Sequence, residues 1–132
     1  MKYGYTIIYV SSVEETLEFY QKAFGFSIKM LHESKAYGEL DTGGTVLAFA
    51  SHELGKMNLK GKYLKGNIDD KPFGIELAFV TQEVEKVMAN AIENGAALLE
   101  ASVTKPWGQQ VGYLRDLNGF IIEICSPIEN QE

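Results

Sequence analysis

The sequence predicts an α+β fold built from two copies of a β-α-β-β-β module. Three observations carry this. Apolar runs, caps and stopping glycines recur in the same order in the two halves. Each half holds one long amphipathic stretch, and all its other apolar segments are short and β-rich. In both halves the last apolar run follows an Asp-x-x-Gly turn, "DTGG" at 41–44 and "DLNG" at 116–119.

The elements follow in order. "YTIIYV" (5–10) is β-branched and aromatic, so it reads as a strand. Ser12 followed by Glu15 is a capping box, and Val13, Leu17, Phe19, Tyr20 and Phe24 form the apolar stripe of a helix that Gly25 ends. "FSIKML" (26–31), "AYGELDTGG" (36–44) and "TVLAFAS" (45–51) supply three more strands and a turn. Residues 51–73 show no clean periodicity, and hold Lys56, Lys60, Lys62 and Lys65 among several glycines. They read as a connecting loop or flap, either a solvated linker or a lid that steers anions. The pattern then restarts. "GIELAFV" (74–80) is a strand, "TQEVEKVMANAIENG" (81–95) a helix with Val84, Val87, Met88, Ala91 and Ile92 inward, and "AALLEASV" (96–103) a strand. "KPWGQ" (105–109) is a loop, "QVGYLRDLNG" (110–119) a strand and turn, and "FIIEICS" (120–126) the last strand, before a tail "PIENQE" that reads as frayed. The modules are therefore 3–50 and 74–126, within a single domain of 1–132.

Two offsets superpose the halves. A shift of 71 lays Val13 on Val84 and Tyr5 on Glu76. A shift of 75 lays Asp41 on Asp116, Gly44 on Gly119 and Ala48 on Glu123. Tyr5, Ala48, Glu76 and Glu123 thus become equivalent positions on the first and last strands of each module. Strand side chains alternate between faces. If the helices cover the wholly apolar faces, Tyr5, Tyr9, Glu76 and Glu123 line a cavity on the other side. A cavity position answers the cost of a carboxylate in an apolar strand, because it admits water, a ligand or a cation.

Composition bounds the function. Of the 132 residues, 45% are hydrophobic and 23% charged, as in an ordinary globular domain. The net charge of −6 argues against nucleic acid or an anionic membrane as partner. A lone cysteine, Cys125, excludes an intramolecular disulfide and reads as a buried thiol in a reducing compartment. No apolar run approaches the roughly 20 residues that span a bilayer, and "MKYGYTIIYVSS" is too short and aromatic for a secretory signal. The expected location is cytoplasmic. No Ser-His-Asp order, P-loop, GxGxxG or CxxC pattern is present.

The chemistry-bearing residues are few. Glu76 and Glu123, if close, would split their titrations into one acid and one base, or grip a cation; alternatively each ion-pairs locally, with Arg115 or Lys105. His52 stands after a strand where it could reach a cavity mouth, whereas His32 reads as a surface residue. Trp107, between Pro106 and Gly108, either stacks on a planar ligand or plugs the end of the fold. Gln109 beside it offers a neutral hydrogen bond.

"IIYVSSVEETLEFYQKAFGF", the restart "LAFVTQEVEKVMANAIENGA" and the ending "YLRDLNGFIIEI" together resemble the vicinal oxygen chelate superfamily, which includes glyoxalase I, bleomycin- and fosfomycin-resistance proteins and extradiol dioxygenases. The resemblance spans residues 4–126. It implies paired modules curled into an incomplete barrel, helices outside and a ligand cavity inside, often completed across a homodimer. It implies metal ligands at the positions of Tyr5, Ala48, Glu76 and Glu123. Here only Glu123 matches the usual carboxylate; Ala48 has no donor, Tyr5 replaces a histidine and Glu76 replaces another.

Three functions stay open. One is a metal-free binder of a small planar or cationic molecule, lined by Tyr5, Tyr9, Ala48, Glu76, His52, Trp107, Gln109 and Glu123, with no cofactor. The second is a lyase, isomerase or dioxygenase using a divalent metal cation on Glu76 and Glu123. The third is a dimerisation module without a ligand.

Overall fold

The computed structural model describes residues 1–128, so the tail expected to fray lies, from 129 onward, outside the described residues. The chain divides into two compact units, Met1–Gly66 and Asn67–Glu132. Each unit is one βαβββ module, and the fold is α+β.

The first module runs β1 (Tyr5–Val10), α1 (Val13–Phe24), β2 (Ser27–Leu31), β3 (Tyr37–Asp41), β4 (Val46–Ser51) and α2 (His52–Leu59). Its sheet order is β1-β4-β3-β2, with β1 parallel to β4 and the other pairs antiparallel. Ser12 caps α1, its Oγ accepting the Glu15 N–H at 3.2 Å, and Gly25 closes the helix at φ 76°, a left-handed conformation that glycine adopts without a Cβ penalty. Val13, Leu17, Phe19, Tyr20 and Ala23 bury the helix stripe against the sheet, where Tyr20 meets Phe49 with ring centroids 5.0 Å apart.

The second module runs β5 (Glu76–Val80), α3 (Val84–Glu93), β6 (Ala97–Thr104), β7 (Gln110–Arg115) and β8 (Ile121–Cys125), in sheet order β5-β8-β7-β6. Val84, Met88 and Ala91 are the buried side of α3; Val87 is half-buried and Ile92 exposed, so the inward stripe is narrower than the sequence suggests. Both sheets are open, and a bulge interrupts the outer hairpin of each, β2–β3 and β6–β7.

The repeat holds at the level of register. Tyr5 pairs with Val46 and Glu76 with Ile121; Ile7 pairs with Ala48 and Ala78 with Glu123. On the third strand of each module the offset is 74 rather than 75, since Glu39 pairs with Ala48 and Tyr113 with Glu123. The extra residue is taken up in the second turn. There Asp116 accepts the N–H groups of Asn118 and Phe120, both at 2.9 Å, while Asp41 caps only Gly43, at 3.0 Å. A glycine sits mid-strand under the helix in both modules. A Cβ on Gly38 would overlap Leu17, and one on Gly112 would overlap Met88.

One expectation changes. Within the stretch read as a connecting loop, His52–Leu59 form helix α2, with Ser51 as N-cap accepting the Leu54 N–H at 3.1 Å. The helix is short and its only buried residue is Gly55, so no apolar period shows in the sequence. The cap itself, Ser51 with Glu53 in the first turn, was the available signal.

Candidate functional site

In the second module the parallel pairing of β5 and β8 and the antiparallel pairing of β7 and β8 put Glu76, Tyr113, Glu123 and Cys125 on one sheet face, opposite the buried Ile122 and Ile124. Partial desolvation raises the Glu76 pKa, and the like charge of Glu123 and a hydrogen bond with it push in the same direction. Glu76 is an exposed residue, so water screens part of that effect. The hydrogen bond between Glu76 and Glu123 puts the two carboxyls side by side on this face. Tyr113 is raised by burial first, then by its hydrogen bond to Glu123 and the charges of both glutamates. Cys125 is buried and pushed up to about 11 by burial and by Glu123, which makes it an inert thiol at neutral pH.

The local partners that the sequence offered to these glutamates are elsewhere. Arg115 donates to four backbone carbonyls, of Gly119 at 2.9 Å, Ile68 at 3.0 Å, Asn67 at 3.2 Å and Asp70 at 2.7 Å, and so ties the 67–70 turn to the end of β7. Among the described residues, neither Glu76 nor Glu123 forms an ion pair with a lysine or arginine. Trp107, 59% exposed, donates its indole N–H to Gln109 Oε1 at 2.9 Å, and Gln109 donates in turn to the Ser126 carbonyl at 2.9 Å. Gln109 therefore holds the indole, leaving its ring faces open.

In the first module the equivalent positions carry different chemistry. Tyr5 is exposed, and Ala48, fully buried, offers only a methyl group. The carboxylate lies one strand over. Glu39, opposite Ala48, accepts the Tyr37 hydroxyl at 2.7 Å and pairs with Lys29 at 3.8 Å. Tyr37 is held well above its ordinary pKa by burial, then by Glu39. Tyr9 and His52 are brought together through Tyr63, a residue that sequence reasoning passed over. The Tyr9 and Tyr63 rings lie 5.1 Å apart, and His52 Nδ1 is 2.8 Å from the Tyr63 hydroxyl. His32 accepts the Ser34 N–H at 3.1 Å, a local turn contact. Tyr113 was also missed, although strand alternation opposite Glu123 could have found it.

The donor set does not fit a tightly held metal. Among the described residues no three of His, Cys, Asp and Glu are grouped to hold one, Ala48 supplies no donor, and Tyr5 supplies a phenol in place of imidazole nitrogen.

A model of the Glyoxalase-like domain matches residues 3–129. The chain belongs to this family, within the vicinal oxygen chelate superfamily. No curated protein matches it. Among solved structures, this glyoxalase-like protein is similar to a glyoxalase-related enzyme from Fulvimarina pelagi, at 22% identity and TM-score 0.81, over 96% of this chain and 88% of that one. It is similar to a glyoxalase/bleomycin resistance protein/dioxygenase family enzyme from Burkholderia phytofirmans PsJN, at 25% identity and TM-score 0.78, over 96% and 98%. A superfamily member from Sphaerobacter thermophilus DSM 20745 aligns at 18% identity and TM-score 0.68, over 96% and 98%. No helix among the described residues is long and apolar enough to cross a membrane.

Proposed function

We propose that this glyoxalase-like protein binds a small planar organic cation on the acidic face of its second module, without the metal of its metal-dependent relatives. The observation that carries this reading is the Glu76–Glu123 pair. Two carboxylates share one sheet face, Tyr113 donates to one of them, and among the described residues neither forms an ion pair with a lysine or arginine. A bound cation would relieve their mutual repulsion, and an aromatic one would gain from tyrosine faces as well. The exposed indole of Trp107 is a further stacking surface offered by the same module. The reading is one of a cytoplasmic, dimeric binder.

The test is a titration with N-methylacridinium followed by its fluorescence anisotropy, alongside metal analysis of the purified protein. Binding by metal-free protein, weakened about tenfold or more in the Glu76→Gln/Glu123→Gln variant, is the expected result. A stoichiometric divalent cation lost in that variant would replace this reading with the metal-dependent lyase, isomerase or dioxygenase one.

A further inference from the structure

The lysine-bearing segment of the first module forms a half-open cavity of about 500 Å³, lined by His52, Glu53, Lys56, Gly61, Tyr63 and Lys65. The size falls in the range of small-molecule sites. Its aromatic wall is rigid. The Tyr63 hydroxyl is hydrogen-bonded to His52 Nδ1 at 2.8 Å, the two rings stack at 5.9 Å and 25°, and Tyr9 supports Tyr63 from another side at 5.1 Å. Gly55 packs so closely on Tyr63 and Tyr9 that a Cβ there would overlap both. Tyr63 is thus locked at ring and hydroxyl, which presents a flat surface at little entropic cost on binding.

The charges around this wall are one-sided. Lys56 and Lys65 lie in the lining and, among the described residues, neither is in an ion pair; Glu53 is the one acid that lines the cavity. The local balance is positive on a chain whose net charge is −6. The imidazole of His52 registers the same field: its pKa is lowered, by burial and then by the Lys65 charge, so it faces the cavity as a neutral ring.

We propose that this cavity is a binding site for a planar organic anion, an aromatic carboxylate whose ring lies on the Tyr63–His52 wall and whose carboxylate takes Lys56 and Lys65. A flat apolar wall beside two unpaired ammonium groups fits that ligand better than a free inorganic anion, which would leave the wall uncovered, or a neutral aromatic, which would leave the lysines unpaired. The site shares no lining residue with the carboxylate pair of the second module and stands whether or not that pair binds a cation.

The probe is 1-naphthoate, titrated into the full chain and followed by amide and side-chain chemical shifts, with 1-naphthamide and inorganic phosphate as comparison ligands. Shifts centred on His52, Lys56, Tyr63 and Lys65 are expected, with 1-naphthoate binding more tightly than either comparison ligand. The Lys56→Gln/Lys65→Gln variant, checked for an unchanged melting temperature, should bind 1-naphthoate at least about fivefold more weakly, while Glu76→Gln/Glu123→Gln should bind it as the parent does. Equal binding of 1-naphthamide, equal binding of phosphate, an unchanged affinity in the lysine variant, or shifts that leave these four residues unmoved would each overturn the proposal.

Discussion

The two modules share a fold, a register and a helix seat, yet they handle the acids on their sheet faces in opposite ways. In the first, Glu39 accepts Tyr37 and pairs with Lys29, so its charge is spent within the sheet. In the second, Glu76 and Glu123 face each other, Tyr113 donates to Glu123, and the chain's single arginine, Arg115, is committed to backbone carbonyls. A duplicated fold therefore does not duplicate its chemistry. Position is set by strand pairing, whereas charge compensation depends on which neighbouring side chains happen to be cationic, and that can differ without disturbing the ladder.

The comparison breaks most visibly at the glycines beneath the helices. Gly38→Ala should destabilise by about 1–3 kcal/mol, because the new methyl meets Leu17, Val13 and the Met30 carbonyl oxygen, and the last cannot swing aside. Gly112→Ala should cost less, since its closest obstacles, Sδ and Cε of Met88, belong to a flexible side chain, and the backbone atom it meets, the Ser102 Cα, lies at 3.2 Å. Urea melts of the two variants check the order, and a larger loss at Gly112 would refute this account of the packing.

The pH dependence sharpens the contrast in charge. The folded chain holds the Glu76 proton more tightly than the unfolded chain does. The stability this confers is fully present below the ordinary value of 4.5 and is lost as pH rises through the raised folded value. Melting temperatures measured upward from about pH 4 should show that decline, and Glu76→Gln should flatten it. An undiminished decline in the variant would mean that another group carries the effect.

The smallest effect concerns Cys125. With its thiol raised from 9.0 to about 11, the thiolate fraction at pH 8 should be about a hundredfold below that of an ordinary cysteine. Alkylation by iodoacetamide should be correspondingly slow in native protein and faster in Glu123→Gln, which removes the charge behind part of the shift. Ordinary alkylation rates in the native chain would contradict the described environment.

Much of this was legible in the residues. Ser12, Gly25 and the alternation in "YTIIYV" and "FIIEIC" are local signals, read within one or two turns of chain, and the strands and the first helix fall where they pointed. The pairing of Glu76 with Glu123 was legible through the repeat, because register carries one strand's face to its neighbour. Tyr113, Glu39 and Tyr63 were not. Their roles depend on contacts with residues 10, 10 and 11 positions away, namely Glu123, Lys29 and His52, made through strand pairing and loop packing. Helix α2 was hidden for a different reason: it buries one glycine and so writes no apolar period.

The sequence by itself determined the α+β class, the doubled module, the faces of the strands and the donor chemistry of the four repeat-related residues, since caps, periodicity and side-chain type are properties of the residues in order. Only the tertiary structure decided where the charges end. It sent Arg115 to carbonyls rather than to a glutamate, gave Glu39 a lysine, and set His52 against Tyr63. Ion pairs and hydrogen bonds form between whichever groups folding brings within about 3 Å, and chain order alone does not specify that distance.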